Sequence, residues 1–382
     1  MQREGSEKAL FISLEEIRGR QEVSRKIARD LGMDALIVIG GPFYDRPGNL
    51  AYLTGHYPPF PSVDFQNEYR GLGFGVFILP VSGKTVLVAD TEAYRKERIA
   101  VDEIRPTRNL PTTVRSVLAD LKLNTSRLGF VGLQVAPWAL VNEIMENRGT
   151  IESADSILRK LRRCKSPVEI ALLRKAAEVA EIGIKAALSA IKPGMTEAEV
   201  CAEGIKAGIA AGADFVRYLR VLSGPFSGWP HRWPPATERV LQEGETVCMD
   251  YIGAVHGYQF DILRSSVVGD GDMETRRLIQ LASEATEAAI KACKPNVSVR
   301  EVVRTADRII DQAGFLQYRA KFTGHGIGLD TVELPFLMAD SEDVLQSGDV
   351  ICLEPGILIR DKKGARFEYE IVITQDGSEL LP

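Results

Sequence analysis

Two stretches of this chain, about a hundred residues apart, share one pattern. "KPGMTEAEV" at 192–200 returns as "KPNVSVREV" at 294–302. "LSGP" (222–225) matches "FTGH" (322–325), and "VLQEGETVCMD" (240–250) matches "VLQSGDVICLE" (344–354). The first pair carries a capping-box pattern in each copy, Thr196 with Glu199 and Ser298 with Glu301. Each following helical run reaches a glycine at the same offset, Gly212 and Gly314. Matches in this order predict two related halves, each a helix pair followed by β-strands. Placed face to face, such halves bring equivalent strands side by side.

The chain has 382 residues, enough for two domains and two sizeable cores. Ahead of the repeat, Leu14, Ile17, Val23, Ile27 and Leu31 fall at roughly helical spacing. "DALIVIG" reads as a buried strand, and "GVFILP" with "KTVLVAD" as two strands joined by a short Ser-Gly turn. Helical and strand patterns alternate again through 112–147, so this half is α/β in character. At Ser166, Pro167 and Glu169 a capping side chain, a first-turn proline and a glutamate reaching back start a long Ala-rich helix. It stops at Pro193-Gly194. The expected domains are 1–158 and 159–382.

The repeat also makes a chemical statement. Its last aligned positions are Asp250 and Glu354, each closing an apolar strand-like run. Asp261 in "GYQFDILRSS" and Glu368 in "ARFEYEIVIT" occupy comparable later places, close enough to return on an adjacent strand. Carboxylates embedded in apolar strands must be paired, hydrogen-bonded or bound to metal. Arg264, Arg360 and Arg366 are candidates for pairing. Four acids at symmetric positions, with His325 framed by glycines, point instead to metal. Oxygen ligands with one imidazole suit Mn²⁺, Fe²⁺, Co²⁺ or Zn²⁺, and four carboxylates match two bridged divalent ions.

Composition excludes some functions. A net charge of −5 and a pI near 5.7 argue against nucleic-acid or anionic-membrane partners. No apolar run approaches a membrane span. "MQREGSEKAL" has no apolar h-region, so the expectation is a cytoplasmic protein without a secretory signal. Cys164, Cys201, Cys248, Cys293 and Cys352 are scattered without CxxC spacing and read as free thiols, small buried apolar residues of a reducing compartment.

At this point the chain resembles the pita-bread metallopeptidase superfamily of methionine aminopeptidase, aminopeptidase P and prolidase. Its layout is similar to the aminopeptidase P/prolidase branch. The segments that carry the likeness are "NLAYLTGHY" (49–57), "KSPVEIALLRKAAEVA" (165–180), "SGPFSGWPH" (223–231), "MDYIGAVHGYQFDILRS" (249–265), "GHGIGL" (324–329), "LEPGI" (353–357) and "RFEYEIVIT" (366–374). The resemblance implies an α/β creatinase-like N-terminal domain. It implies an α+β pita-bread catalytic domain with an internal pseudo-twofold repeat. It also implies two divalent ions, Mn²⁺ first and Co²⁺, Zn²⁺ or Fe²⁺ as options. Asp250 would chelate one ion, Asp261 and Glu368 would bridge both, and His325 and Glu354 would bind the second. His231 would stand beside the substrate, and Arg366 would support the site. Phe226, Trp229 and Trp233 could shape a proline pocket or pack in the core. His56 and Tyr57 read as loop surface, with reach into a partner subunit's site as the alternative, and His256 as a hairpin-turn residue. A homodimer is expected from the likeness alone.

Three departures stand out from that resemblance. Related peptidases carry a histidine in a "His-Glu-x-Pro" segment, where this chain has Val332-Glu333-Leu334-Pro335. Gly253 follows Asp250 by three residues where the family commonly has glycine at two, and Leu263 replaces a usual threonine. The implied activity is hydrolysis of an Xaa-Pro bond by a metal-bound hydroxide, with Glu354 as general base and His231 supporting the oxyanion. Dipeptidase and aminopeptidase action both stay open. Val332 favours a rival on the same scaffold, a hydrolase of a small non-peptide amide or a lyase. A silent binding scaffold is a further alternative, against which the retained five ligands argue.

Overall fold

The computed structural model describes residues 10–60, 70–90, 95–146 and 151–382. These form two compact units, Phe11–Arg162 and a second built on Arg163–Pro382.

The first unit is α/β. Its mixed six-stranded sheet runs Glu103–Pro106, Val86–Ala89, Gly75–Pro80, Ala35–Gly40, Leu128–Val131, Glu152–Ser153 in spatial order. Ala35–Gly40 is central, antiparallel to Gly75–Pro80 and parallel to Leu128–Val131. Every residue of these three strands is buried, as their continuous apolar runs require. The helix Leu14–Asp30 forms where expected, capped by Ser13. Its apolar spacing misleads about the face it buries. Leu14, Val23 and Leu31 are exposed, while Ile17, Arg20, Gln21, Ser24, Arg25 and Ala28 are buried. Backbone carbonyls meet several of the polar members. Gln21 Nε2 donates to Leu53 O at 2.7 Å and Ala100 O at 2.6 Å, and Arg20 donates to Tyr52 O at 3.3 Å. His56 corrects the surface reading. It is 3% exposed, and burial pushes its imidazole down to about 4.

The second unit has the pita-bread layout, and the repeat is its organising feature. One half has helices Pro167–Ala190 and Glu197–Ala211, then a sheet of Phe215–Ser223, Thr246–Val255 and Tyr258–Val267. The other has helices Met273–Ala292 and Val299–Gln312, then a five-stranded sheet centred on Val350–Leu353. Equivalent backbone contacts recur. Thr196 bridges Val240 and Ser298 bridges Val344. Leu241 N donates to Met195 O at 2.8 Å, and Leu345 N to Val297 O at 2.9 Å. The caps differ in one detail. Thr196 and Glu199 bond reciprocally, whereas Ser298 accepts from Glu301 N without the return bond.

The two sheets meet along the strand Tyr258–Val267, where Glu368 N donates to Leu263 O at 2.9 Å and Asp261 N donates to Glu370 Oε1 at 2.7 Å. Glu368 thus sits at the seam between the halves. Next to Asp250 on the strand, the Tyr251 ring fills the space a side chain at Gly183 would need; a Cβ there would come within 2.4 Å of it. Gly253 has a comparable reason, since a Cβ would press on the Phe260 ring and the Phe215 carbonyl. His256 takes φ +51° in the tight turn between the two long strands, as a hairpin-turn residue must.

Candidate active site

Side-chain alternation sets which residues face the seam. Asp250 lies on Thr246–Val255 and Asp261 on the antiparallel strand Tyr258–Val267, where Ile252 pairs with Asp261 and Asp250 with Leu263. The two acids are therefore diagonal neighbours on one face. In the other half, Cys352 pairs with Glu370 and Leu353 with Tyr369, so Glu354 and Glu368 stand at the end of the same ladder. The chain between them is not a simple turn. It holds a hairpin of its own, Gly356–Ile359 with Lys363–Arg366. His325 lies on Gly324–Gly326, opposite Cys352.

These five residues converge. Ligand atoms of Asp250, Asp261 and Glu368 lie within 4.8 Å of one another. His325 Nε2 is 3.6 Å from Asp261 Oδ2, 3.8 Å from Glu354 Oε1 and 3.8 Å from Glu368 Oε1. All five are buried. Burial and the neighbouring carboxylates push Asp261 and Glu368 well above the usual range. Burial raises Glu354 to about 7, with Arg366 opposing.

The donor set tests itself for a cation. His325 Nδ1 lies 2.9 Å from the Gly326 carbonyl, which can only accept. Burial favours the neutral imidazole. Nδ1 therefore carries the proton, and the Nε2 lone pair points at three carboxylate oxygens. A lone pair facing carboxylate oxygens is unfavourable unless a proton or a cation lies between them. Asp250 Oδ1 and Glu368 Oε1 are also buried and lack a hydrogen-bond partner among the described residues. Divalent cations satisfy all of these atoms, so the residues fit such ions.

Around this cage stand groups of several kinds. Arg366 donates to Glu354 Oε2 at 2.8 Å and to Pro230 O at 3.3 Å, and lies 3.7 Å from Asp250 Oδ2. It thereby ties the segment before His231 to the cage. His231 itself is exposed. On the other side of that segment, Arg232 pairs with the fully buried Glu197, which also accepts from Ser223 and Thr237. Trp229 donates from Nε1 to Asp361 at 3.0 Å, and the Arg360 guanidinium lies 4.3 Å over its ring. Arg360 is thus not among the carboxylates. Arg264 pairs with Glu181 and donates to the Glu368 carbonyl. Trp233 is 87% exposed and Phe226 38%, so core packing does not account for Trp233. Val332 is 52% exposed, while its neighbour Glu333 is drawn inward by Lys165 at 3.2 Å.

Sequence reasoning missed two members. Arg220 donates to Asp250 Oδ2. Cys352, read only as a small apolar residue, has its sulfur within 4.8 Å of ligand atoms of His325 and Glu368. The repeat could have flagged Cys352, since Cys248 occupies the matching place. All five cysteines are free, and Cys164 is exposed, contrary to the buried reading.

Comparison with known proteins agrees with this geometry. The profile of metallopeptidase family M24 matches residues 171–375. An Xaa-Pro dipeptidase of Pyrococcus furiosus is 28% identical over 345 residues, covering 89% of this chain and 92% of that one. An Xaa-Pro dipeptidase of Pyrococcus horikoshii is 32% identical over 248 residues, 64% of this chain and 70% of the relative. The solved prolidase from Pyrococcus furiosus superposes with a TM-score of 0.79 at 26% identity, covering 94% of this chain and 98% of the other.

Proposed function

Because this chain belongs to metallopeptidase family M24, we propose that it is a dinuclear metal-dependent hydrolase cleaving the bond N-terminal to proline in short peptides. The convergence of His325 Nε2 on three buried carboxylates carries this reading. Asp250, Asp261 and Glu368 would hold one ion; His325 and Glu354, with Asp261 and Glu368 shared, would hold the other. Bound divalent ions supply Lewis acidity toward a carbonyl oxygen and a water acidified to hydroxide near neutral pH. We expect Mn²⁺ first, with Co²⁺, Zn²⁺ or Fe²⁺ as options.

The chain's own groups do the rest. Glu354 takes the nucleophile's proton and returns it to the leaving nitrogen. The Arg366 bond to its Oε2 fixes the carboxylate with Oε1 turned toward His325 Nε2, at 3.8 Å. His231 follows Pro230, whose carbonyl Arg366 holds, and its exposed imidazole can donate to the oxyanion. Trp229 and Trp233 flank it and offer apolar surface for a proline ring. A cytoplasmic homodimer is part of this proposal. Among the described residues, no helix is long and apolar enough to cross a membrane.

One observation favours a second reading. Val332 stands 52% exposed where relatives of this type are expected to place a histidine, and it can neither donate a hydrogen bond nor carry a proton. Hydrolysis of a small non-peptide amide, or a lyase reaction, would need no such group. The test is a metal-reconstituted screen against Xaa-Pro dipeptides, longer Xaa-Pro peptides and small N-acyl compounds, with elemental analysis of the protein. Turnover of Xaa-Pro peptides with about two ions per chain supports the first reading. Turnover of N-acyl compounds alone overturns it in favour of the second.

A further inference from the structure

Two arginines stand among the four carboxylates. Arg366 bridges Glu354 and Asp250. Arg220 is the other. It lies on Phe215–Ser223, directly opposite Asp250 in the ladder. Its Nη1 donates to Asp250 Oδ2, its side chain is 14% exposed, and its guanidinium lies 4.4 Å over the Tyr218 ring. Its Nε is buried without a hydrogen-bond partner among the described residues. One oxygen of Asp250 therefore faces two guanidiniums, while Oδ1 is left buried and unpartnered.

That arrangement changes once a divalent ion sits against Asp250. Like charges repel strongly in a poorly solvated site, and an ion held through the free Oδ1 weakens the pull that Oδ2 exerts on the guanidinium. Arg220 then gains from a second anion. The anion that arrives with the reaction is a carboxylate of the peptide, which a planar guanidinium grips with two parallel hydrogen bonds. Resting on the dinuclear reading above, we propose that Arg220 is a specificity-determining residue. It neutralises Asp250 in the cation-free site and binds a substrate carboxylate in the loaded one. That carboxylate is either the C-terminus of a dipeptide or the side chain of an acidic residue before the proline. A neutral Xaa-Pro bond at the start of a longer chain offers neither.

Two measurements test this. Metal-free wild type, Arg220→Met and Arg220→Lys are titrated with Mn²⁺ by calorimetry. Arg220→Met should bind the weaker of two ions about tenfold tighter, and Arg220→Lys should not. Unchanged binding in Arg220→Met overturns the role at Asp250. Failure of the wild type to take up any ion overturns the dinuclear reading itself, and the two failures are thereby distinct. The second measurement is kcat/KM of the Mn²⁺-loaded proteins on Ala-Pro, Ala-Pro-amide, Glu-Pro-amide and Gln-Pro-amide. A tenfold or greater preference for Ala-Pro over its amide assigns the C-terminal carboxylate. The same preference for Glu-Pro-amide over Gln-Pro-amide assigns the side chain. Either preference should collapse in Arg220→Met. No preference in the wild type, or one that survives in Arg220→Met, overturns the substrate role. If none of the four is cleaved, the prolyl reading and the substrate role of Arg220 fall together, and the Mn²⁺ titration decides its role at Asp250.

Discussion

Replacing Asp261 by Asn should stabilise the protein without metal and deprive it of metal. Asp261 is buried between Asp250, Glu354 and Glu368. Ligand oxygens of Asp250, Asp261 and Glu368 lie within 4.8 Å of one another. At that distance and an effective dielectric near 20, one ionised pair costs roughly 3 kcal/mol. Proton uptake relieves part of this, since Asp261 and Glu368 are held well above their ordinary values and Glu354 rises to about 7. A gain of about 2 kcal/mol should remain for Asp261→Asn at pH 8, or roughly 4–8 °C in Tm for a unit of this size. The pH dependence has a defined sign. These carboxylates keep protons in the folded state that the unfolded chain releases above about pH 4. Metal-free stability should therefore fall as pH rises through Glu354's value near 7, and less steeply in the variant. Saturating Mn²⁺ reverses the order. At a thousandfold excess over Kd the wild type gains about 4 kcal/mol, and the variant should gain little. The assay is thermal unfolding by circular dichroism in EDTA and in Mn²⁺. If Asp261→Asn is less stable than wild type in EDTA, or is stabilised by Mn²⁺ to the same extent, the idea of a cage held open by mutual repulsion is wrong.

Two further outcomes are expected. Val332→His should raise kcat/KM on Xaa-Pro peptides by about 10–100-fold, short of the 10²–10³ lost with a full oxyanion donor, because an exposed side chain is poorly fixed; no change would mean the position does not limit that chemistry. His56 has a folded value of about 4 against an ordinary 6.5, so it favours folding above pH 6.5 and this contribution disappears as pH falls to about 4. The change is about 3 kcal/mol, and in His56→Leu the acid-side decline in Tm between pH 6.5 and 4 should be reduced.

Much of this protein was written in its linear order. The repeat announced the paired halves because helix caps and strand ends recur locally, and local signals survive without tertiary contacts. The four acids were legible for the same reason: a carboxylate closing an apolar strand is anomalous wherever the strand lies. Tertiary structure alone decided the partners. Arg220 in "VRYLRVLS" reads as one of two arginines on an alternating strand, and only the register that sets it opposite Asp250 turns it toward the carboxylates. Cys352 reads as a small core residue until Gly324–Gly326 folds across it and brings His325 within reach. The helix Leu14–Asp30 buries arginine and glutamine because carbonyls from distant residues meet them, which no periodicity records. Residue type and spacing fix what a segment can form by itself, whereas burial of a charge depends on which remote atoms arrive to compensate it.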